Sequence, residues 1–302
     1  MIQNINKSIN KQKQTFYTVN EVSELMKFLI AKLPDTSRNS IKSLLTHQQI
    51  FVNNQIVTKY NYMLEAGDQV SINKNKPEIA NKYHGLRILF EDQHIIVIEK
   101  DAGLLSIATD RERQQTAYFI LNQHVRNVNP KNHVYIVHRL DKDASGVMMF
   151  AKSIEVQKKM QSEWEKSVID RRYSVVVEGK VEQNEGTITS WLKESIALIM
   201  YSYNFDNGGQ KAITHYKVLK NNENFTLLEV KLDTGRKNQI RVHMKDIGHS
   251  IVGDKKYGAT SSPLKRLGLH ANILSFSHPV SNEMLCFESP VPFRFIELLS
   301  RR

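Results

Sequence analysis

The run Val137-His138-Arg139-Leu140-Asp141-Lys142-Asp143-Ala144-Ser145-Gly146 places a carboxylate, a guanidinium, an imidazole and a hydroxyl within ten residues. A charged group at the edge of an apolar element is costly unless something requires it. Asp141 with Arg139 two residues before it therefore admits two readings. One is an ordinary turn carrying an ion pair, which is the commoner situation. The other is a carboxylate placed for acid–base or nucleophilic work. His138 and Ser145 beside it hint at a triad, but local sequence cannot supply a triad's geometry.

Other familiar chemistries are missing. There is no Gly-x-Ser-x-Gly elbow, Walker loop or dinucleotide fingerprint. His243 and His249 lack the spacing and the cysteine partners of a zinc site. No metal and no cofactor is expected. What remains is Asp141, a tyrosine opening a later strand (Tyr173) and an arginine on a helix after a glycine turn (Arg241).

The elements that must position these residues follow from periodicity. Val137–Leu140 and Val147–Ala151 read as strands around a polar turn. Ile88–Glu91, Ile95–Lys100, Arg172–Gly179, Thr187–Leu192, Ala212–Leu219, Phe225–Leu232, Leu267–Phe276 and Glu283–Ser289 are further predicted strands. Helices are predicted at 114–126, 154–164 and 239–247. Many short strands with few helices suggest an α+β domain on a mixed, largely antiparallel sheet. In the N-terminal part, a helix over 20–33 capped by Asn20, a second helix after Ser37, a hairpin over Ile50–Val57 and a closing strand at Val70–Ile72 make a small α+β unit.

The chain has 302 residues, 40% of them hydrophobic, and carries a net charge of +11 with a pI near 9.5. Such a charge favours a polyanionic partner. Residues 1–80 hold ten Lys/Arg against six Asp/Glu, so the excess is not confined to a tail. One cysteine, Cys286, excludes an internal disulfide and suits a reducing, cytoplasmic compartment; it is expected as a buried strand thiol. No run reaches the roughly 18 apolar residues of a membrane span, and no signal peptide is evident.

Two resemblances organise these readings. Ser37-Arg38, Val52-Asn53-Asn54 and Gly67-Asp68, over about residues 16–75, resemble the small RNA-binding "S-four" domain first described in a ribosomal protein. His138-Arg139-Leu140-Asp141 with Ser145-Gly146 and Phe150-Ala151-Lys152 resembles the signature of the RluA-type RNA pseudouridine synthases. Four more stretches agree in order: Glu91-Asp92 to Gly103; Arg172-Tyr173 to Gly179; Gly235 to His243 with Gly248-His249 and Gly253-Asp254; and Leu269-His270-Ala271 with Phe276-Ser277-His278-Pro279. That likeness spans about residues 86–295.

The resemblance implies a catalytic domain with a central RNA-binding cleft that isomerises uridine to pseudouridine. Asp141 is then the catalytic carboxylate, acting at the base or at the sugar. Arg241 is its counter-charge, and Tyr173 the ring that holds the uracil and a candidate proton acceptor. Ile240 packs beside Tyr173, and Arg139 fills the space left by a flipped nucleotide. Arg38, Lys42 and Lys59 are the expected phosphate contacts of the small domain. The expected organisation is a mobile N-terminus at 1–15, the small domain at 16–75, a linker at 76–85 and the catalytic domain at 86–302.

The expected partner is RNA, with ribosomal RNA of the large subunit ahead of transfer RNA, and the expected state is a monomer without membrane contact. The alternative is a non-catalytic RNA-binding or ribosome-assembly factor that keeps the fold. Three departures from the family pattern stand out. Ala144 replaces the usual Thr, Asp101 the usual Pro, and Lys237-Asn238 the usual Thr-His. They bear on rate or substrate choice more than on reaction class.

Overall fold

Leu25, Met26, Phe28 and Leu29 are buried on one side of the first helix, and the chain around them forms a small unit with its own core. A computed structural model describes residues 14–34, 36–46, 49–53, 55–73, 83–109 and 112–300. Most of the expected mobile N-terminus and of the expected linker lies outside these residues. The chain forms two compact units, one within residues 1–82 and one from Tyr83 onward.

The first unit runs β1 (Gln14–Thr18), β2 (Ser23–Glu24), α1 (Leu25–Lys32), α2 (Arg38–Thr46), β3 (Ile50–Val52), β4 (Gln55–Ile56), β5 (Met63–Leu64) and β6 (Gln69–Asn73). Its four-stranded sheet has the order β1-β6-β3-β4. Helix α1 starts five residues after the predicted cap, Asn20. The cause is pairing: Ser23–Glu24 form a bridge to Met63–Leu64. The first helical N–H groups, of Leu25 and Met26, then donate to the carbonyls of Tyr62 and Tyr60 at 2.8 and 3.0 Å. Those carbonyls do the work of a capping side chain. Val22, within the helix predicted over 20–33, lies outside α1 and is left 66% exposed. Ser37 does cap α2, its Oγ accepting from the Ser40 N–H at 3.2 Å.

The second unit runs β7 (Leu86–Glu91), β8 (Ile95–Lys100), α3 (Ala117–Arg126), β9 (Tyr135–Ile136), β10 (Ser145–Ala151), α4 (Ile154–Ser162), α5 (Trp164–Ser167) and β11 (Val168–Glu178). It continues with β12 (Glu185–Glu194), β13 (Met200–Tyr203), β14 (Gln210–Asn221), β15 (Phe225–Leu232), α6 (Gln239–Asp246), β16 (Leu269–Ser277), β17 (Met284–Glu288) and α7 (Phe293–Leu298). The fold is mixed α/β on one large sheet of order β13-β12-β14-β15-β11-β16-β10-β8-β7, with β17 beside β16 and β9 beside β10. Among the described strands only β10 and β16 pair in parallel; the other strand pairings are antiparallel. Cys286 is exposed, contrary to expectation. Strand alternation explains this, since its neighbours Leu285 and Phe287 are the residues that pack inward.

Two features bring the centre of this sheet close to the loop before β10. Gly146 adopts φ 116°, and a Cβ there would lie 2.1 Å from the carbonyl oxygen of Ala271. Only glycine lets β10 approach β16 so closely. Ala271 in turn opposes Tyr173 on β11. No helix among the described residues is long and apolar enough to cross a membrane.

Candidate active site

Val137–Leu140 is not a strand, as predicted, but part of an irregular loop between β9 and β10, while the predicted polar turn does form over Asp141–Ala144. Side chains from elsewhere take up the backbone groups that a ladder would have paired. The Ser106 hydroxyl accepts from the Leu140 N–H at 3.2 Å and donates to the Leu140 carbonyl at 2.7 Å. The Lys142 carbonyl receives the Gly103 N–H at 2.9 Å. Val137 and Leu140 are buried and anchor the loop from below.

Lys100 completes this scaffold. It is fully buried, and its ammonium donates to four carbonyls: Leu104 and Ala144 at 2.7 Å, Asp101 at 2.9 Å and Lys142 at 3.1 Å. Burial lowers its pKa to about 8, aided by the charge of Arg266. The charge is thus retained at neutral pH, and it ties the end of β8 to both ends of the Asp141 turn. Ala144 is itself buried in the main apolar cluster. Its N–H closes the turn on the Asp141 carbonyl at 3.2 Å, so the turn forms without a threonine hydroxyl. Asp101, where the family pattern has proline, donates its N–H to the Gly85 carbonyl at 2.8 Å, a bond proline could not make.

Arg241 projects from the first turns of α6. Its Nε and one terminal nitrogen grip Asp254 at 2.7 and 2.8 Å, and the other terminal nitrogen donates to Asp141 at 3.1 Å. The guanidinium also lies 4.9 Å from the centre of the Tyr257 ring. Burial opposes its charge, but hydrogen bonds and charge from Asp254, then from Asp141, hold its pKa above the usual arginine value. Asp254 is 1% exposed and Asp141 26%. One cation therefore serves a sealed carboxylate and an open one. Asn238 stands at the start of α6 in the left-handed region, φ 55°. Its amide donates to the Tyr257 hydroxyl at 2.9 Å, and its carbonyl accepts from Arg241 at 3.3 Å.

Asp141 and Arg241 line a cleft of about 590 Å³, together with Tyr173, Ile240 and Arg139. Tyr173 and Ile240 belong to the main apolar cluster. Burial raises the Tyr173 pKa, only partly offset by Arg171, so its phenol is neutral. Arg139 does not pair with Asp141. It is exposed at the cleft wall and makes no hydrogen bond or ion pair among the described residues.

A triad with His138 and Ser145 is not formed. His138 Nε2 accepts from the Met149 N–H at 3.1 Å, and its ring lies 4.8 Å from that of Trp164. Burial, then the charge of Arg171, lowers its pKa to about 3, which keeps it neutral. Ser145 bonds instead to His270 and Arg266, both at 2.7 Å. In the first unit, Arg38 opens α2, Lys42 lies one turn on and Lys59 sits in the loop after β4; all three are exposed.

Lys100 and Ser106 are supports that sequence reasoning did not single out, and Asp254 and Asn238 were noted there only as members of motifs, without this role. Lys100 left a signal. Strand period two points it the same way as Ile96 and Ile98, both fully buried. A lysine on that side of a core strand has to find acceptors inside the protein.

With this geometry in view, the comparisons are specific. A family model described as RNA pseudouridylate synthase matches residues 94–246, and the S4 domain matches residues 25–70. An uncharacterized RNA pseudouridine synthase of Bacillus subtilis is 35% identical over 261 residues, covering 85% of this chain and 86% of its own. Ribosomal large subunit pseudouridine synthase D of Haemophilus influenzae is 30% identical over 286 residues, 88% of this chain and 87% of that one. Human RNA pseudouridylate synthase domain containing 4 superposes with a TM-score of 0.57 at 24% identity, over 69% of this chain and 90% of that chain, a likeness of fold.

Proposed function

This chain belongs to the RNA pseudouridylate synthase family and is an RNA pseudouridine synthase; we propose that it acts on large-subunit ribosomal RNA, with Asp141 as the catalytic carboxylate. The RNA target follows the names of the relatives called ribosomal large subunit pseudouridine synthase D. The observation that carries the assignment of Asp141 is its bond to Arg241 at 3.1 Å in the open cleft, while Asp254 holds that arginine from behind.

The chemistry follows from this arrangement. Pseudouridine formation detaches uracil from ribose, turns it and rejoins it through a ring carbon. Arg241 supplies a counter-charge that favours the ionised Asp141. It cannot swing toward the substrate, because two bonds to Asp254 fix its plane. Tyr173 offers a ring face on which the detached base stacks. As a neutral phenol it takes up the ring-carbon proton only by passing its own proton on, so its role is a relay. Ile240 closes the apolar side of the pocket. Arg139, unpaired at the cleft wall, occupies the gap left in the RNA when the target nucleotide flips out. In the first unit Arg38, Lys42 and Lys59 contact phosphates and orient the RNA.

The test is the Asp141→Asn variant assayed on ribosomal RNA for pseudouridine and, in parallel, for binding. The expected result is loss of product with RNA affinity close to that of the wild type. Undiminished product would remove Asp141 from the mechanism. Mapping pseudouridines across cellular RNA with and without the gene identifies the target; a change confined to transfer RNA would overturn the ribosomal assignment.

A further inference from the structure

The face of the sheet turned away from the cleft carries an arrangement that the proposed reaction does not use. Directly opposed residues on paired antiparallel strands point to the same face. Tyr173 opposes Val230, Val230 opposes Tyr216, and Tyr216 opposes Gly186, which traces the cleft face across to β12. Trp191 is an odd number of residues from Gly186 and so points to the opposite face. There it opposes Tyr203 on β13 and Lys211 on β14. In the next row Lys193 opposes Tyr201.

This face is open. Tyr201 is 45% exposed and Tyr203 38%, and Phe205 rests edge-on against Tyr203 at 6.0 Å. Thr187, Thr189, Lys193 and Lys211 are exposed on the same side, so no described element of this unit covers it. Exposed rings are normally sheltered in a protein that has no use for them. Here they alternate with lysines. The carboxylates of the face are already engaged: Glu185 and Glu229 both oppose Lys217, Glu229 also pairs with Arg172 at 3.4 Å, and Asp233 pairs with His215 at 2.8 Å. Lysine and ring are thus left together around β12 and β13.

That chemistry fits an unpaired stretch of nucleic acid, whose bases stack on rings while its phosphates meet ammonium groups. It fits a second copy of this chain poorly, because self-association through this face brings lysines against lysines. Strand β14, which carries Lys211 on this face, also borders the cleft. Arg236, in the cleft wall, donates through Nε to the Lys211 carbonyl at 3.1 Å. Thr234, in the same turn, accepts the Ile213 N–H at 2.9 Å. The cleft rim therefore rests on β14, the strand that carries Lys211 beside Trp191.

We propose that this face is a second RNA-binding surface, on which Trp191, Tyr201 and Tyr203 stack unpaired bases of the RNA beyond the cleft rim while Lys193 and Lys211 hold the phosphates between them. It rests on the reading of the cleft as the RNA-modifying site. Its test can fail separately. The probe is a fluorescein-labelled oligouridine long enough to fill a site of roughly 4–16 nucleotides. Tyr201→Ala/Tyr203→Ala is expected to weaken its binding at least about fivefold, the floor for one lost base stack, with an unchanged circular dichroism melt. Tyr201→Phe/Tyr203→Phe keeps both rings and should bind as the wild type does. Lys193→Ala/Lys211→Ala should lower the slope of log affinity against log salt by about 0.7 per lost contact.

Cross-linking completes the test. Oligouridine carrying 5-bromouracil, irradiated with the inactive Asp141→Asn variant, should attach to Tyr201 or Tyr203 by mass spectrometry. Cross-links confined to the cleft would overturn the proposal. So would no binding of the probe by the wild type, equal affinity for the alanine double variant, or a loss of dimer in sedimentation with RNA binding intact. Absence of pseudouridine from the wild type's RNA would defeat the functional reading and leave the cross-link result standing.

Discussion

Asp141 and Asp254 share one arginine and live in different surroundings. Asp254 is sealed, bonded twice by Arg241, and also receives the Tyr257 N–H at 3.3 Å. Asp141 is open to the cleft and bonded once by the same guanidinium. A carboxylate whose acceptor sites are filled is a strut. One that keeps a free edge facing a cavity beside a fixed cation is available for chemistry. The difference lies in hydrogen-bond saturation and access.

Exchanging each carboxylate for its amide separates strut from reagent. Asp141→Asn should cut pseudouridine formation by about ten-thousandfold, the scale of removing one member of a set that acts together. Its melting temperature should stay near that of the wild type, since a partly exposed ion pair is worth only about 0–1 kcal/mol. Asp254→Asn should do the reverse in stability. It leaves a buried arginine short of its partner, a change that costs about 3–5 kcal/mol. Activity should fall as well, because Arg241 is no longer held in plane. Denaturant titration and single-turnover assays on both variants decide the matter. If Asp254→Asn were as stable as wild type, the distinction between the two carboxylates would collapse.

Tyr173 sharpens the reactive side of the contrast. Tyr173→Phe keeps the ring and its packing in the main apolar cluster and removes only the hydroxyl. A relay role predicts a rate lower by roughly a hundredfold, the lower end for general acid–base catalysis, with KM nearly unchanged. Wild-type turnover would leave Tyr173 as a stacking surface alone.

The residues proposed as reactive were legible in sequence, and the struts were not. Asp141, Tyr173 and Arg241 were picked out by type and order, and the structure brings them into one cleft. Lys100 and Asp254 owe their roles to burial and to partners distant in sequence, which no local pattern displays. The strand predicted at Val137–Leu140 failed for the same reason. Its apolar residues are buried as expected, but Ser106 and Gln161 take backbone groups a strand would have paired. Strand β13 and helix α7 were missed because each is too short to establish a period. The large strands were read well. Phe225–Leu232 and its partners alternate or run apolar over enough residues for burial to dictate them.

Lys100 tests the strut side through pH. Lys100→Met strands the buried carbonyls of Leu104 and Ala144, and should cost about 2–4 kcal/mol at neutral pH. In the folded protein the Lys100 proton leaves near pH 8 instead of 10.5. Between those values the unfolded chain binds more protons, so stability rises with pH there. Below pH 8 the cost of the buried charge is present in full. The advantage of wild type over Lys100→Met should therefore grow from pH 8 toward 10. An advantage that stays flat with pH would show that Lys100 does not titrate in this range.

The smallest effect belongs to Asn238, which touches Arg241 on the side away from Asp254. Asn tolerates φ 55° better than most residues, and Asn238→Ala gives up roughly 1–2 kcal/mol for a left-handed conformation. It also frees the Tyr257 hydroxyl, which otherwise continues to receive the Met200 N–H at 3.2 Å. Because Asp254 still grips Arg241 with two bonds, the guanidinium should stay in place and kcat should fall by less than about tenfold, the change equivalent to 1.4 kcal/mol. Asn238→Gly separates the two contributions: it accepts the backbone angle without strain, so it should recover the stability lost by alanine and none of the lost rate. If glycine restores both, the side chain of Asn238 only shapes the turn. If it restores stability alone, the third contact on Arg241 matters to the open carboxylate as well as to the sealed one.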